Sequence, residues 1–192
     1  RNNLTAYLSN EHYSLRPLHN FFFTRDASVA LRDHVLISKM ANRVRDREAL
    51  IMQAIFDYHP RFRVQTIHPD EGLSHSDAIS FEGGDLLVAS ENITLVGLGT
   101  RTTSRGIDFL IKMASGRKEK HHILIQELPA SPESFIHLDM TFTLLDNDSC
   151  MIYEPLILKS NKYQTIQTGL RLSFSIVSSH VENLLNALKD LG

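Results

Sequence analysis

Short runs that alternate apolar and polar positions take turns, along these 192 residues, with longer runs whose apolar residues recur three and four apart. A period of two sets alternate side chains on opposite faces of a strand, and a period near 3.6 gathers them on one face of a helix. The chain therefore reads as an α/β protein. Residues 20–24 (NFFFT) and 34–37 read as short strands around a polar turn. Residues 45–58 switch to helical spacing, with Leu50, Ile51, Ala54, Ile55 and Tyr58 on one face and Pro60 as the stop. Residues 63–67 alternate as a strand, and 85–89 and 93–96 read as a strand pair joined through Ser90-Glu91-Asn92.

A helix over 104–113 follows, with Ile107, Leu110 and Ile111 aligned and Gly116 closing it. Strands are expected at 123–126, 140–145 and 151–153, the last two forming a hairpin through Asp146-Asn147-Asp148-Ser149. Leu170, Leu172, Phe174 and Ile176 alternate as a half-buried strand. Ser179 with Glu182 has the spacing of a capping box, opening a helix whose Val181, Leu184, Leu185, Leu188 and Leu191 form a core-facing stripe ending at Gly192. The order suggests a repeated αβ unit, although no residue-level repeat accompanies it.

No low-complexity tract or block of like charge divides the sequence, so residues 1–192 read as a single α/β unit. Twenty Lys plus Arg against 22 Asp plus Glu leave a formal charge of -2, which argues against a nucleic-acid partner or an anionic membrane surface. No apolar run of membrane-spanning length is present. The single cysteine, Cys150, has no partner for an internal disulfide and suits a reducing compartment. The chain begins at Arg1 without a signal-peptide pattern and is expected to be part of a longer polypeptide.

Three compact clusters set charged groups beside turn-forming or strand residues: Phe23-Thr24-Arg25-Asp26, Glu82-Gly83-Gly84-Asp85 and His137-Leu138-Asp139. In a strand, His137 and Asp139 would share a face. The paired glycines would let Glu82 and Asp85 flank a tight bend. Taken singly, each cluster also reads as an ordinary turn or surface pair. Arg45, in Arg43-Val44-Arg45-Asp46-Arg47-Glu48, and Arg101, after the Gly97-Leu98-Gly99-Thr100 bend, each offer a planar fork that matches a carboxylate. Without other information the 43–48 run reads sooner as a solvated helix face.

Taken in order, Asn20-Phe21-Phe22-Phe23-Thr24-Arg25-Asp26, Arg45-Asp46-Arg47-Glu48, Glu82-Gly83-Gly84-Asp85, Gly97-Leu98-Gly99-Thr100-Arg101-Thr102 and His137-Leu138-Asp139-Met140-Thr141-Phe142-Thr143 resemble the arginine deiminases. These are guanidino-group-modifying enzymes of the pentein fold, a pseudo-fivefold α/β propeller. The match runs from about Asn20 to Asp146. The resemblance implies a partial propeller, about three of the five ββαβ-type modules, incomplete at both ends. It implies a cytoplasmic hydrolase that converts arginine and water to citrulline and ammonia without a cofactor or metal. Its small-molecule substrate would be arginine or a related guanidine, and a homo-oligomer is possible within the family.

Residue by residue, the resemblance implies that Asp26 and Asp139 bind the substrate guanidinium, whose five donors two carboxylates can satisfy. Glu82 would orient and charge His137, which would act as general acid to the departing ammonia and then as general base for water. Arg45 and Arg101 would clamp the substrate α-carboxylate, with Asn20 assisting and the Phe23 ring against the aliphatic stem. Family members attack with a cysteine near the C-terminus, in a Gly-rich segment, and this chain has nothing of that kind. Cys150, thirteen positions after His137 (150 minus 137), reads as a structural thiol, so the chain by itself is expected to be inactive.

Other readings lie close by. Amidinotransferases and dimethylargininases share the EGGD motif; a peptidyl-arginine deiminase or a catalytically dead pentein that binds amino acids would share the fold. A metal site could be sought in His68-Pro69-Asp70-Glu71 with His75-Ser76-Asp77, or in His121-His122 with His137 and Asp139. Neither has a recognised ligand spacing, and Pro69 with Gly72 points to a loop, so no metal is expected.

Overall fold

A computed structural model describes residues 15–69, 79–115, 120–170 and 176–191. Two stretches repeat one pattern. In the first, β1 (Ser28–Leu31) pairs antiparallel with β2 (His34–Ile37), and α2 (Asp46–Tyr58) carries the chain over to β3 (Gln65–Ile67), parallel to β2. In the second, β4 (Leu86–Ser90) pairs antiparallel with β5 (Ile93–Leu98), and α3 (Ser104–Ser115) crosses over to β6 (His121–Glu127), parallel to β5. Parallel neighbours need such a helical crossover, so each stretch is a ββαβ unit, the module that the resemblance implies, where the alternation of periods suggests only a repeated αβ unit. A short helix, α1 (Thr24–Ala27), precedes the first unit.

The hairpin of β7 (Phe142–Leu144) and β8 (Cys150–Ile152), the short helix α4 (Glu154–Ile157), β9 (Thr165–Leu170), β10 (Ile176–Val181) and α5 (Leu184–Leu191) complete the described chain. β9 and β10 extend the second unit into a five-stranded sheet of order β10-β9-β6-β5-β4. Its central strands are apolar on both faces because both are covered. Leu95 and Leu124 point into a cluster with Leu138, Phe142 and Leu184, while Val96 and Ile123 point into a second cluster with Leu36, Phe81, Ile107 and Leu110. None of the helices among the described residues is long and apolar enough to cross a membrane.

Several elements differ from the sequence reading. Residues 20–24 form no strand: the Phe23 N–H donates to the Asn20 carbonyl at 3.0 Å, and this turn leads into α1. His137-Leu138-Asp139 is not a strand either, since Leu138–Met140 is a 3-10 turn and β7 starts only at Phe142. Helix α2 is where the spacing puts it but turns the other way. Leu50 and Tyr58 are 62% and 84% exposed, while Arg45, Glu48 and Ala49 are buried. An ion pair outcompetes the apolar stripe for the interior.

Leu170 and Ile176 belong to two different strands, paired with each other across a hairpin. Leu172 and Phe174 lie outside the described residues, as do Asp70, Glu71, His75, Asp77, Gly116 and Gly192. Ser179 sits in β10 and caps nothing. The last helix opens instead at Asn183, whose Oδ1 accepts the Asn186 N–H at 2.9 Å.

Candidate active site

The candidate residues come from loops at the ends of strands, where irregular backbone can aim side chains at one point. Asp26 lies on α1, just before β1. Glu82 leads into the 3-10 turn Gly83–Asp85 that opens β4, and Arg101 follows the end of β5. His137 precedes the turn Leu138–Met140, which contains Asp139. Arg45 closes the 3-10 turn Arg43–Arg45, whose first N–H groups are served by Asn42 Oδ1, the acceptor for Val44 N–H at 3.3 Å.

A buried dyad lies at the centre. Nε2 of His137 is 2.9 Å from Oε2 of Glu82, and both side chains are buried. Oε1 of Glu82 accepts the Ala41 N–H at 3.0 Å and lies 3.6 Å from Nη1 of Arg101. The other imidazole nitrogen, Nδ1, is 3.8 Å from Oδ1 of Asp26. Burial alone would push the Glu82 carboxyl up, but the His137 bond, the Ala41 N–H and the Arg101 charge hold it below its ordinary value. Burial alone would likewise keep His137 neutral. The Glu82 bond and the charges of Asp85, Asp26 and Glu82 outweigh it and raise the imidazole above its ordinary value.

Asp139 is held above the usual carboxylate range, mainly by burial, while Arg25 Nε stands 3.3 Å from its Oδ2. The carboxyl of Asp85 is pushed up to about 7, chiefly by desolvation.

The glycine pair owes its place to crowding, not only to the bend. A Cβ on Gly84 would come within 2.7 Å of Cγ of His137 and 3.0 Å of Oδ1 of Asp26. One on Gly83 would overlap the carbonyl oxygen of Arg25. Only hydrogen lets the imidazole and α1 close over this turn.

A cavity of about 420 Å³ is lined by Asn20, Phe23, Asp26, Arg45, Arg101, His137 and Asp139, with His19, Asn42, Ile136 and Met140. Seven of the eight candidate residues thus share one hollow, and the eighth, Glu82, is bonded to His137. Larger hollows of about 530 and 570 Å³ lie beside Cys150 and beside β4, but neither gathers a comparable set of paired charges. Asn20 is half-buried, and the Phe23 ring is 51% exposed.

Arg45 is placed more deeply than a rim clamp. Its Nη1 lies 2.8 Å from Asp26 Oδ2, its Nε donates to Glu48 Oε2 at 2.7 Å, and Nη2 donates to the carbonyls of Asn20 and Phe23 at 3.3 and 3.2 Å. Arg101 remains half-buried at the cavity wall. Ligand atoms of Asp26, Glu82 and His137 lie within 4.8 Å of one another, a spacing that could hold a divalent ion. The Arg45 guanidinium, 2.8 Å from Asp26 and 3.8 Å from Glu82, already supplies positive charge there. His121 and His122 lie on β6 and do not line this cavity. Cys150 lies on β8, also outside it.

Sequence reasoning passed over Glu48, which is fully buried, grips Arg45 and accepts the Asn20 N–H at 2.6 Å. Its three-residue spacing from Arg45, one helical turn, was the available signal. Thr102, with its hydroxyl on Asp85, carried no signal beyond its place after Arg101.

The residues and their spacing match known proteins. A family model described as arginine deiminase covers residues 2–191. The arginine deiminase of Bacillus cereus is 35% identical over 149 residues, covering 76% of this chain and 36% of the relative. That of Listeria monocytogenes is 37% identical over 135 residues, covering 70% of this chain and 32% of the relative. The chain thus spans about a third of the length of the curated relatives it matches. Among solved structures, the N-terminal domain of ArgZ, an arginine dihydrolase from the cyanobacterial ornithine-ammonia cycle, aligns with a TM-score of 0.59 at 22% identity, over 74% of this chain and 47% of that one. A dimethylarginine dimethylaminohydrolase aligns with a TM-score of 0.50 at 15% identity, over 69% of this chain and 46% of that one. These likenesses place the α/β architecture in the pentein fold, and with the family match running over nearly every residue, the chain belongs to the arginine deiminase family.

Proposed function

We propose that the polypeptide to which this chain belongs hydrolyses the guanidinium of free L-arginine to citrulline and ammonia. The observation that carries this reading is the buried His137–Glu82 dyad, 2.9 Å apart, whose His137 lines one cavity with Asp26, Asp139 and Arg101. Asp26 and Asp139 bind the planar cation and fix its orientation by charge-assisted hydrogen bonds. Arg101, half-buried at the cavity wall, receives the α-carboxylate with Asn20, while the sealed Arg45 holds Asp26 in place and lends its charge from behind, and the exposed Phe23 ring packs on the methylene stem. A thiolate adds to the guanidinium carbon, and His137, kept charged by Glu82, gives its proton to the nitrogen that leaves as ammonia. The neutral imidazole then takes a proton from water as its oxygen attacks the thiouronium carbon, and the carbon–sulfur bond breaks to release citrulline.

On this reading the thiol comes from a part of the polypeptide other than these 192 residues, because Cys150 is the one cysteine of the sequence and stands on β8. The chain alone turns over no arginine. A citrulline-release assay on the full-length parent, beside Asp26→Ala and His137→Ala variants, tests the reading. Turnover in the parent and loss of at least about 100-fold in both variants is expected. Undiminished turnover in either variant would remove this mechanism, and release of a methylamine from methylated arginine in preference to ammonia from arginine would reassign the substrate.

A further inference from the structure

Asp85 shares a turn with Glu82, yet no step above uses it. Its side chain is fully buried, and both oxygens are engaged. Oδ2 accepts the Thr102 hydroxyl at 2.6 Å, and Oδ1 accepts the Leu138 N–H at 2.9 Å. Its own N–H donates to the Glu82 carbonyl at 3.0 Å, and Thr102 Oγ1 accepts the Glu82 N–H at 3.3 Å. Leu138 follows His137 and Thr102 follows Arg101, so one carboxyl touches the neighbours of both. The fold also makes room for it: a Cβ on Gly97 of β5 would overlap Asp85 Oδ1 and approach Leu138 Cβ at 3.0 Å.

We infer that Asp85 is a positioning residue, holding His137 against Glu82 and Arg101 beside them by tying the turn after His137 and the bend after Arg101 to one buried carboxyl. His137 has extended backbone immediately before its 3-10 turn, at φ -130° and ψ 152°. The Leu138 N–H is the first donor of that turn and has no acceptor within it. Asp85 supplies the acceptor and thereby fixes where the preceding residue points its ring. A buried N–H bonded to a carboxylate is held more tightly than one bonded to a neutral group.

Charge travels along the same contact. The ionised Asp85 favours the imidazolium of His137, and Glu82 in turn disfavours the ionised Asp85. From the other elements packed here, Asp26 and Glu82 also face His137, and Arg45 and Arg101 face Glu82. The expected cost in turnover rests on the deiminase reading; the positioning does not.

The test compares Asp85→Asn, Thr102→Val and Thr102→Ser in the full-length parent, by kcat, KM and the pH profile of kcat. Asparagine keeps the shape but places an amide where one carboxylate oxygen stood. Asp85→Asn is expected to lower kcat roughly 10- to 100-fold with KM within about twofold, and to move the limb that reports His137 to lower pH. Thr102→Val lowers kcat in the same direction, and Thr102→Ser restores it. If Asp85 only supports the fold, Asp85→Asn lowers the yield of folded enzyme while kcat per folded site and the pH limb stay put, and the inference is overturned.

If Asp85→Asn does not fold, NMR on the unsubstituted protein decides. The Leu138 amide shift should follow the Asp85 carboxyl carbon through its titration, and a Leu138 amide indifferent to that titration overturns the inference. A parent that releases no citrulline sinks the proposed reaction, but the Leu138 measurement still tests the positioning.

Discussion

Oδ2 of Asp26 lies 2.8 Å from Nη1 of Arg45, with both side chains buried. Asp139 holds a second guanidinium, with Arg25 Nε 3.3 Å from its Oδ2. Each carboxylate proposed to receive the substrate cation therefore already accepts an arginine side chain of the protein itself. The two pairs differ in depth: Arg25 is half-exposed, whereas Arg45 is almost sealed.

Because it is sealed, the Asp26–Arg45 pair should matter to stability as well as to binding. Removing Asp26 takes one charged partner from a buried guanidinium that keeps Glu48 at 2.7 Å, a loss of about 2 kcal/mol. Asp26→Ala should therefore lower the urea midpoint in addition to stopping turnover, while Arg25→Ala, at the solvated pair, should stay within about 1 kcal/mol of the parent chain. Equal midpoints for the two variants would show that the buried pair is not holding the loop at residues 20–26.

Crowding over the EGGD turn gives a sharper contrast. Alanine at position 84 puts a methyl group 2.7 Å from Cγ of His137, a clash with side-chain atoms of the site and not with backbone. Gly84→Ala should fold and lose roughly 100-fold in citrulline release, since displacement of about 1 Å is enough for that. Alanine at position 83 meets the Arg25 carbonyl, which cannot move without α1. Gly83→Ala should lose thermal stability first. Circular dichroism melts beside the turnover assay separate the two, and wild-type turnover in Gly84→Ala would contradict the packing of the ring on that glycine.

What the sequence could disclose followed from how local each signal was. Most strands and helices were legible because period and turn chemistry act within about a dozen residues, the ββαβ unit followed only from the family resemblance, and seven of the eight residues named by the motifs line one cavity. Orientation was not legible. Helix α2 buries Glu48 and exposes Leu50, because Asp26, nineteen residues before Arg45, draws that N-cap residue inward and Glu48 follows it. No amphipathic pattern contains that partner. His137 and Asp139 reach the site from a 3-10 turn and the residue before it instead of a strand, and the first N–H of that turn, on Leu138, donates to Asp85, fifty-three positions away.

Cys150 separates a structural thiol from a catalytic one. It packs partly buried beside Leu144, Ile152 and Leu188, on the hairpin side of the core. Cys150→Ala removes one small buried group and should cost about 1 kcal/mol or less, with citrulline release by the parent unchanged. Loss of turnover in a folded Cys150→Ala protein, measured per site, would relocate the nucleophile to this strand.

Stability against pH should carry the imprint of four groups of the site whose signs differ, with Asp139 raised above its ordinary value in the same direction as Asp85. Glu82 is held below its ordinary 4.5, so its contribution is present above that value and lost as pH falls through its lower folded value. His137 is raised above 6.5, so its contribution is present below that value and fades as pH rises through the higher folded one. Asp85 runs against the usual carboxylate behaviour. Its folded carboxyl titrates at about 7 instead of 3.8, so between those values the native state binds more protons than the unfolded chain and stability falls as pH rises. Urea midpoints across pH 3 to 9 should therefore decline from about pH 4 towards neutrality and continue to decline above 6.5. Asp85→Asn should make the first decline shallower, leaving the share due to Asp139, and keep the acid limb in place, whereas Glu82→Gln should soften the acid limb. An unchanged slope between pH 4 and 7 in Asp85→Asn would mean that this carboxyl stays ionised in the folded protein, and that its two donors outweigh its burial.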